Sequence, residues 1–260
     1  LFKIMKVVIL AGGLGTRLIE ETKLVPKPMI RIGDMPILWH IMKYFSHFGH
    51  KEFIICLGYK GDVIRDFFIN SLRFNGDIEI DLKENKINIV KKNIDDWQIK
   101  LINTGLSSNT AGRIKKIEKY IINDQNFLFT YGDGLINSDI NKSIKFHKKH
   151  KKIATVTAVR PMKRFGVMNI SKTKVTAFNE KPVDEGGWIN GGYFVLSTKI
   201  LKYIQSPNSV LEKDILPKLA KSNQLRAFHH NGFWHPLDTL RDKINLEKFW
   251  NLKNTPWKVW

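Results

Sequence analysis

Cysteine is almost absent from this chain of 260 residues, because Cys56 is the only one. A disulfide within the chain is therefore excluded. Cys56 lies inside the apolar run 53–57, and no neighbour in the sequence would lower its pKa. We interpret it as a buried strand thiol rather than a nucleophile. A protein of this kind fits a reducing compartment, so we expect a cytoplasmic location.

Long hydrophobic runs are also missing. No stretch approaches the roughly 20 consecutive apolar residues that a membrane-spanning helix requires. The N-terminus shows no hydrophobic signal segment followed by a small-residue cleavage site. We therefore expect no membrane partner. Residues 1–4 precede Met5, where a natural start would fit, and we interpret them as an N-terminal extension outside the fold.

Acidic residues are few, with 24 Asp and Glu against 43 Lys and Arg, which gives a formal net charge of +19. Such an excess indicates either a polyanionic partner or a solvated basic surface. The densest basic run, 145–152, ends a predicted helix, where cations suit the negative end of the helix dipole. Neither a zinc-finger nor an RNP pattern accompanies it, so we expect no nucleic-acid partner.

Apolar residues make up 43% of the chain and aromatic residues 11%, which is typical of a globular protein. The first half alternates short apolar runs with longer amphipathic segments, and this order predicts parallel strands joined by helices. Strands become denser after residue 150, as if they extended the same sheet. We predict one α/β domain over 5–260, with halves 5–150 and 151–260. The predicted strands are 7–10, 52–57, 78–82, 87–90, 99–102, 127–130, 154–159, 166–170, 175–180 and 193–196, and the predicted helices include 35–48, 62–68 and 112–122.

A glycine-rich loop follows the first predicted strand. Gly12, Gly13 and Gly15 occupy three of four positions, so backbone N–H groups can approach an anion closely. The loop lacks both the Gly-Lys-Ser/Thr ending of a Walker A loop and the third glycine of a dinucleotide fingerprint. Arg17, two residues beyond, carries a guanidinium that can fork onto phosphate oxygens. The alternative is a tight turn with a surface arginine.

Three further residues suit phosphate chemistry. Lys27 stands between Pro26 and Pro28, which restrict the backbone and fix the position of one ammonium group. Asp133 lies between two glycines after a predicted strand, a position typical of a metal ligand. Magnesium often binds through one or two carboxylates and substrate phosphates, and Asp238 is the best second candidate. Asp238 could equally cap the helix predicted to start near residue 240.

These motifs together resemble the sugar-1-phosphate nucleotidylyltransferases, and the resemblance runs from Met5 to the C-terminus. It rests on Leu-Ala-Gly-Gly-Leu-Gly-Thr-Arg at 10–17, Pro-Lys-Pro-Met at 26–29, Tyr-Gly-Asp-Gly at 131–134, Glu-Lys-Pro at 180–182, Asn-Gly-Gly at 190–192 and Pro-Leu-Asp-Thr at 236–239. The segments 104–108, 232–234 and 256–260, with Arg113, are similar to the cytidylyl branch.

The resemblance implies a Rossmann-like three-layer α/β/α fold with a mostly parallel mixed sheet and a small β-rich sugar-binding extension. It also implies that CTP and α-D-glucose 1-phosphate react to give CDP-glucose and pyrophosphate with Mg²⁺, for bacterial surface polysaccharide such as O-antigen. A homo-oligomer, often a hexamer, is implied as well. The aromatic residues Phe233, Trp234, Trp250, Trp257 and Trp260 would suit its interface or an ordinary core.

Site roles follow from the resemblance, residue by residue. It assigns catalysis to Arg17, Lys27 and Asp133, and the metal to Asp133 and Asp238. The nucleotide is assigned to Leu10, Ala11, Gly12, Gly13, Leu14, Gly15, Thr16, Arg17, Lys27, Ser108, Arg113 and Gly132, and the sugar phosphate to Glu180, Lys181, Asn190 and Gly191. We expect Ser108 and Arg113 to donate hydrogen bonds near the base.

Three alternatives stay open from the sequence. The same chemistry could use dTTP or UTP, the chain could be a catalytically silent relative that binds a sugar nucleotide, or its charge could serve nucleic-acid binding. Intact Arg17, Lys27, Asp133 and Asp238 argue against a silent relative.

Overall fold

The structure is a computed structural model. It describes residues 4–74, 77–90, 95–161, 167–171, 174–179 and 187–260. The strands are β1 Val7–Ala11, β2 Arg31–Ile32, β3 Met35–Pro36, β4 Glu52–Leu57, β5 Asp77–Asp81, β6 Lys86–Val90, β7 Gln98–Asn103, β8 Asn126–Tyr131, β9 Gly134–Ile136, β10 Ala154–Val159, β11 Val167–Ser171, β12 Lys174–Asn179, β13 Ile189–Ser197, β14 Leu225–His230 and β15 Trp234–Pro236. The α-helices are α1 Ile19–Thr22, α2 Ile37–His47, α3 Gly61–Phe74, α4 Thr110–Lys116, α5 Glu118–Ile121, α6 Ile140–His150, α7 Leu216–Lys221 and α8 Leu240–Asn251.

A seven-stranded sheet in the order β14-β10-β13-β8-β1-β4-β7 organises the chain. Strand β1 pairs in parallel with both β4 and β8, and β4 pairs in parallel with β7. Strand β13 runs antiparallel to β8 and β10. The sheet is therefore mixed and mostly parallel, and this confirms the predicted α/β fold. Strands β10, β13 and β14 extend the same sheet, as expected for the second half.

Two apolar clusters cover the opposite faces of this sheet and give the fold its three layers. Successive β1 residues alternate between them, with Val7 and Ile9 in one cluster and Val8 and Leu10 in the other. Every residue of β1 is buried, because parallel strands flanked by helices on both faces have no solvent face. This rigid centre fixes the positions of the loops that follow β1 and β8.

The helix predicted over 112–122 is instead two shorter helices. The first ends at Lys116, and Ile117 has φ −100° and ψ 9°, outside the α-helical region, before the second begins at Glu118. The earlier start, at Thr110, places the N-terminus of α4 beside the segment 207–209. There the N–H groups of Asn109 and Ala111 donate to the carbonyls of Pro207 and Ser209.

The C-terminal aromatic residues belong to the core of the chain. Trp257 is buried within the cluster that also holds β1 and α2, and Phe233, Trp234, Trp250 and Trp260 pack against it. The indole N–H of Trp257 lies 3.4 Å from Nδ1 of buried His40. Of the two readings open from the sequence, an ordinary core therefore accounts for their packing. Among the residues that the structure describes, none of the helices combines the length and apolar character of a bilayer span.

Two buried histidines should make stability depend on pH. Burial lowers the pKa of His40 to about 4, and the same cause lowers the pKa of His147 to about 4. An unfolded histidine has a pKa of about 6.5, so between about pH 6.5 and 4 the unfolded state binds protons that the folded state does not. Folding stability is then lost as the pH falls through this window.

We expect His147→Gln to reduce the pH slope of the unfolding free energy by about 1.4 kcal/mol per pH unit, the value of one proton. His147 is the better target because both of its ring nitrogens contact uncharged polar side chains, those of Thr155 and Asn126. Urea unfolding at pH 7.0, 6.0 and 5.0 measures this slope. Equal slopes for the variant and the wild type would contradict the assignment of His147 as neutral.

Candidate functional site

A cavity of about 660 Å³ opens where β1 and β8 end. Ligands of open α/β sheets bind outside the carboxyl ends of the strands, so this is the expected place for a site. The register pairs Leu10 with Tyr131, which brings the glycine loop beside Gly132 and Asp133. The predicted site residues that line the cavity are Leu10, Ala11, Gly13, Gly15, Arg17, Lys27, Ser108, Arg113, Gly132, Asp133, Asn190, Gly191 and Asp238.

Lys27 joins the two aspartates proposed from the sequence. Its Nζ lies 2.7 Å from Oδ2 of Asp133 and 2.6 Å from Oδ1 of Asp238. Pro26 is extended, with ψ 150°, and Pro28 occupies the first turn of a 3₁₀ helix over Lys27–Met29, so the backbone on both sides of Lys27 is restricted. The side chain is only 13% exposed. The structure therefore gathers one cation and two carboxylates from three distant parts of the chain.

Burial and charge act in opposite directions on this lysine. Desolvation lowers the pKa of Lys27, but the adjacent charges and hydrogen bonds of Asp133 and Asp238 outweigh it, so the net pKa is raised above its usual value. Lys27 therefore stays a cation at neutral pH. A fixed positive charge, rather than a proton acceptor, is what this position offers a ligand.

Backbone contacts place Asp238 opposite Asp133. Strand β15 pairs with β9, and the N–H of Leu237 donates to the carbonyl of Asp133 at 2.7 Å. Thr239, not Asp238, caps helix α8, and it forms a reciprocal capping box with Asp242. The alternative reading of Asp238 as the helix cap is therefore wrong. Its carboxylate is instead directed to the cavity, where Lys27 binds it.

Arg17 reaches the same cluster from the outer side. The 3₁₀ turn Thr16–Leu18 begins after Gly15, whose φ of 65° favours glycine. Nη1 of Arg17 lies 3.4 Å from Oδ2 of Asp238, and the side chain is 76% exposed. An exposed pair at this distance contributes little to stability. Arg17 is therefore a cation at the cavity mouth that can turn toward an incoming anion.

Arg113 holds the glycine loop in place. Its side chain is buried, and its guanidinium donates to the carbonyls of Gly12 at 2.8 Å and Gly105 at 2.8 Å and to the hydroxyl of Thr104 at 2.6 Å. A fourth contact, at 3.1 Å, reaches the carbonyl of Leu57. The sequence predicts a donor to the nucleotide here, but these contacts direct the guanidinium to the backbone of three loops.

Glycine is required at position 12 for this arrangement. A Cβ atom there would lie 2.3 Å from Nη1 of Arg113 and 2.9 Å from the backbone nitrogen of Gly58. We expect Gly12→Ala to lower the unfolding free energy by about 1–3 kcal/mol through overpacking. Gly13→Ala is the matched control, since a Cβ at Gly13 meets nothing within 4 Å. Chemical unfolding without ligand measures both, and equal stabilities would contradict the packing described here.

Ser108 presents an acceptor to the cavity. Its hydroxyl is 2.6 Å from the carbonyl of Thr104, which can only accept, so the single hydroxyl proton of Ser108 is donated there. The remaining lone pairs can accept a hydrogen bond from a ligand. The sequence-based expectation that Ser108 donates does not fit this geometry, because the proton is already engaged.

The other end of the cavity carries polar groups near β13. The side chain of Asn190 accepts from the N–H of Gly192 at 2.8 Å, and the carbonyl of Gly191 accepts from the Trp234 indole at 2.8 Å. Glu212, which no sequence motif singles out, also lines this region. Glu180 and Lys181, both predicted to bind the sugar phosphate, lie outside the described residues.

The comparisons with known proteins agree with this geometry. The family model Nucleotidyl transferase matches residues 6–250. The glucose-1-phosphate cytidylyltransferases of Salmonella typhi and Salmonella typhimurium are each 49% identical to this chain over 256 residues, which is 98% of this chain and 100% of each relative.

Structural similarity extends further than sequence similarity. A solved UDP-glucose pyrophosphorylase complexed with UDP-glucose has a TM-score of 0.66 at 17% identity, covering 96% of this chain and 100% of that chain. At this identity the likeness concerns the fold alone, and it agrees with the layered sheet described above. The sequence match over nearly the whole chain settles the family: this chain belongs to the nucleotidyl transferase family.

Proposed function

We propose that this protein is a glucose-1-phosphate cytidylyltransferase, which transfers CMP from CTP to α-D-glucose 1-phosphate and releases pyrophosphate. The observation that carries the proposal is the Lys27 ammonium held between Asp133 and Asp238 in a cavity bordered by the glycine loop. The choice of CTP and glucose 1-phosphate follows the names of the two Salmonella relatives.

The chemistry requires charge neutralisation more than proton transfer. A phosphate oxygen of glucose 1-phosphate is already anionic at neutral pH, so it can attack the α-phosphorus of CTP without a general base. The bond between the α-phosphorus and the oxygen that bridges to the β-phosphorus breaks, and pyrophosphate leaves with the electron pair of that bond. Catalysis of such a step consists of positioning and electrostatic stabilisation. Lys27 supplies fixed positive charge at the reacting phosphates, and Arg17 stabilises the leaving pyrophosphate from the cavity mouth.

The donor set fits a magnesium ion. Asp133 and Asp238 converge on one point, since both contact the same ammonium nitrogen, and carboxylate oxygens are the ligands that Mg²⁺ prefers. Mg²⁺ takes six oxygen ligands, so two carboxylates would leave positions for phosphate oxygens and water. When bound, the ion would neutralise charge on the phosphates.

The loop that carries Ser108 suits cytosine. Cytosine carries an exocyclic amine that donates hydrogen bonds, whereas uracil and thymine carry an acceptor at that position. Ser108 offers an acceptor, and Arg113 keeps its loop and the glycine loop in register by binding the carbonyls of Gly12 and Gly105. We assign Ser108 a direct contact to the nucleotide and Arg113 a positioning role. The sugar phosphate is assigned to Asn190 and Gly191, with Glu180 and Lys181.

Assembly and location complete the proposal. We assign a homo-oligomer, a hexamer by resemblance. Helix α8 carries the exposed apolar side chains Leu240 and Ile244, and Leu252 follows directly after it, so an interface would cover these three residues. We also assign a cytoplasmic location, which suits a chain whose single cysteine, Cys56, is a buried free thiol. The product would supply deoxysugar synthesis for O-antigen or other surface polysaccharide.

A nucleotide panel tests the proposed substrate. Purified protein is given glucose 1-phosphate, Mg²⁺ and one of CTP, UTP, dTTP or GTP, and pyrophosphate release is measured at subsaturating nucleotide. We expect kcat/KM for CTP to exceed the others at least about 10-fold, since one unpaired polar group costs about 1–3 kcal/mol. A preference for UTP or dTTP would overturn the cytidylyl assignment. Absence of turnover with every nucleotide would indicate a silent relative.

A further inference from the structure

Glu212 is held in a fixed direction at the wall of the cavity. It belongs to a π-helical turn, Leu211–Ile215, whose apolar residues Leu211 and Ile215 are buried in the core. The turn is closed by Asp214, which accepts from the N–H of Val210 at 2.6 Å. Single π turns occur often at functional sites. This turn runs directly into α7, and Glu212 lines the cavity.

The carboxylate of Glu212 connects the two sides of the cavity. The phenol of Tyr131 donates to one of its oxygens. The hydroxyl of Thr110 donates to the other at 2.8 Å and accepts from the N–H of Leu211 at 2.8 Å. A carboxylate has about four acceptor positions, and these two donors use two of them. Glu212 can therefore accept further hydrogen bonds from a ligand.

The charge of Glu212 restricts what that ligand group can be. In this structure the described cations of the cavity contact other groups than Glu212: Lys27 and Arg17 contact the aspartates, and Arg113 contacts loop carbonyls. A carboxylate at this wall repels phosphate, so a phosphate group would not lie against it. Of the groups on CTP and glucose 1-phosphate, the uncharged hydrogen-bond donors suit this position, and the phosphates do not.

The neighbours of Glu212 point to a sugar. The phenol of Tyr131 also contacts the side chain of Asn190, so a carboxylate, a phenol and an amide lie together at one end of the cavity. A set of acceptors and donors with no fixed cation suits ring hydroxyls.

We propose that Glu212 is a specificity-determining residue that accepts a hydrogen bond from a ring hydroxyl of a bound sugar. The inference rests on the proposed function, which places two sugars in this cavity, the ribose of the nucleotide and the hexose of the sugar phosphate. The ribose and the hexose both carry ring hydroxyls that can donate this hydrogen bond. Thr110 faces the nucleotide side and Asn190 the hexose side, so the experiment must separate them.

The test combines protein variants with deoxygenated substrates. Glu212→Gln and Glu212→Ala are compared with the wild type and with Glu84→Gln, a control on the exposed turn between β5 and β6. The nucleotide arm uses CTP, 2′-deoxy-CTP and 3′-deoxy-CTP. The hexose arm uses glucose 1-phosphate and its 2-, 3-, 4- and 6-deoxy analogues. Pyrophosphate release gives kcat and KM for each pair, and circular dichroism checks that each variant is folded.

The quantity compared is the ratio of kcat/KM for the intact substrate to kcat/KM for its deoxy analogue, and we expect one hydroxyl to dominate it. In the wild type and in Glu84→Gln, removal of the contacted hydroxyl lowers kcat/KM about 10- to 100-fold, as expected for a hydrogen bond to a charged group. In both Glu212 variants that ratio falls below about threefold, mainly through KM. A change in the nucleotide arm identifies ribose as the partner, and a change in the hexose arm identifies the hexose.

An equal loss for every substrate would overturn the proposal, because it would mean that Glu212 only braces Tyr131 and Thr110. If Glu212→Ala fails to fold, Glu212→Gln and calorimetric binding of the same substrates decide the question. Wild-type turnover separates this inference from the proposed function. No turnover with CTP and glucose 1-phosphate contradicts the function, whereas normal turnover with unchanged ratios in the variants contradicts only the role of Glu212.

Discussion

Replacement of Lys27 by methionine is expected to lower kcat about 10²- to 10³-fold, comparable to the loss of one preorganised group that stabilises transition-state charge. Methionine keeps the unbranched length of the side chain and removes the ammonium. The largest effect should be on kcat, because the proposed function places the charge of Lys27 beside the phosphates whose charge changes during the reaction.

The same substitution leaves Asp133 and Asp238 without their shared cation. Their mutual repulsion should make the free variant bind a divalent ion more tightly than the wild type does, and Mn²⁺ binding without nucleotide, measured by electron paramagnetic resonance, tests this. Lys142→Met, at an exposed position of α6, is the control for loss of a lysine. Near-normal turnover of Lys27→Met, with unchanged Mn²⁺ affinity, would remove Lys27 from the catalytic site.

The second large effect is expected for Asp133→Asn. An amide keeps the shape of the side chain but loses the charge that binds both Lys27 and the proposed metal, so we predict a loss in kcat/KM of about 10³-fold or more. The Mg²⁺ concentration for half-maximal rate should also rise, because a neutral oxygen is a weaker ligand. Titration of Mg²⁺ at fixed substrates measures both quantities.

Asp34→Asn serves as the matched control, since Asp34 is exposed in the turn between β2 and β3. Its activity and Mg²⁺ dependence should equal those of the wild type. If Asp133→Asn behaved in the same way as Asp34→Asn, the proposed metal position would be wrong. A loss that excess Mg²⁺ partly restores would instead support a direct role in metal binding.

The sequence could predict the parts of this site that depend on local patterns. Lys27 is constrained by its flanking prolines, and Asp133 follows a buried strand. Both can therefore be predicted as site residues from the sequence. Parallel strands end at one edge of a sheet, which explains why the loop after β1 and the segment after β8 meet. Asp238 is paired with Asp133 from the sequence because Mg²⁺ often binds through two carboxylates. In the structure, both side chains contact the Lys27 ammonium.

Other parts depend on contacts that no local pattern encodes. The direction of Arg113 is decided by the carbonyls of Gly12 and Gly105, and an arginine near a helix start gives no sign of being buried. The acceptor role of Ser108 follows from its contact with Thr104. Glu212 sits in an ordinary amphipathic segment, and its contacts with Thr110 and with Tyr131, 81 residues away in the sequence, hold it at the cavity.

The most direct test of the whole account is identification of the products by ³¹P nuclear magnetic resonance. Wild-type protein is incubated with CTP, glucose 1-phosphate and Mg²⁺, and then separately with CDP-glucose and pyrophosphate. The account predicts CDP-glucose and pyrophosphate in equal amounts in the first mixture, and CTP with glucose 1-phosphate in the second. Folded protein that forms neither pair above the level of Lys27→Met would contradict it.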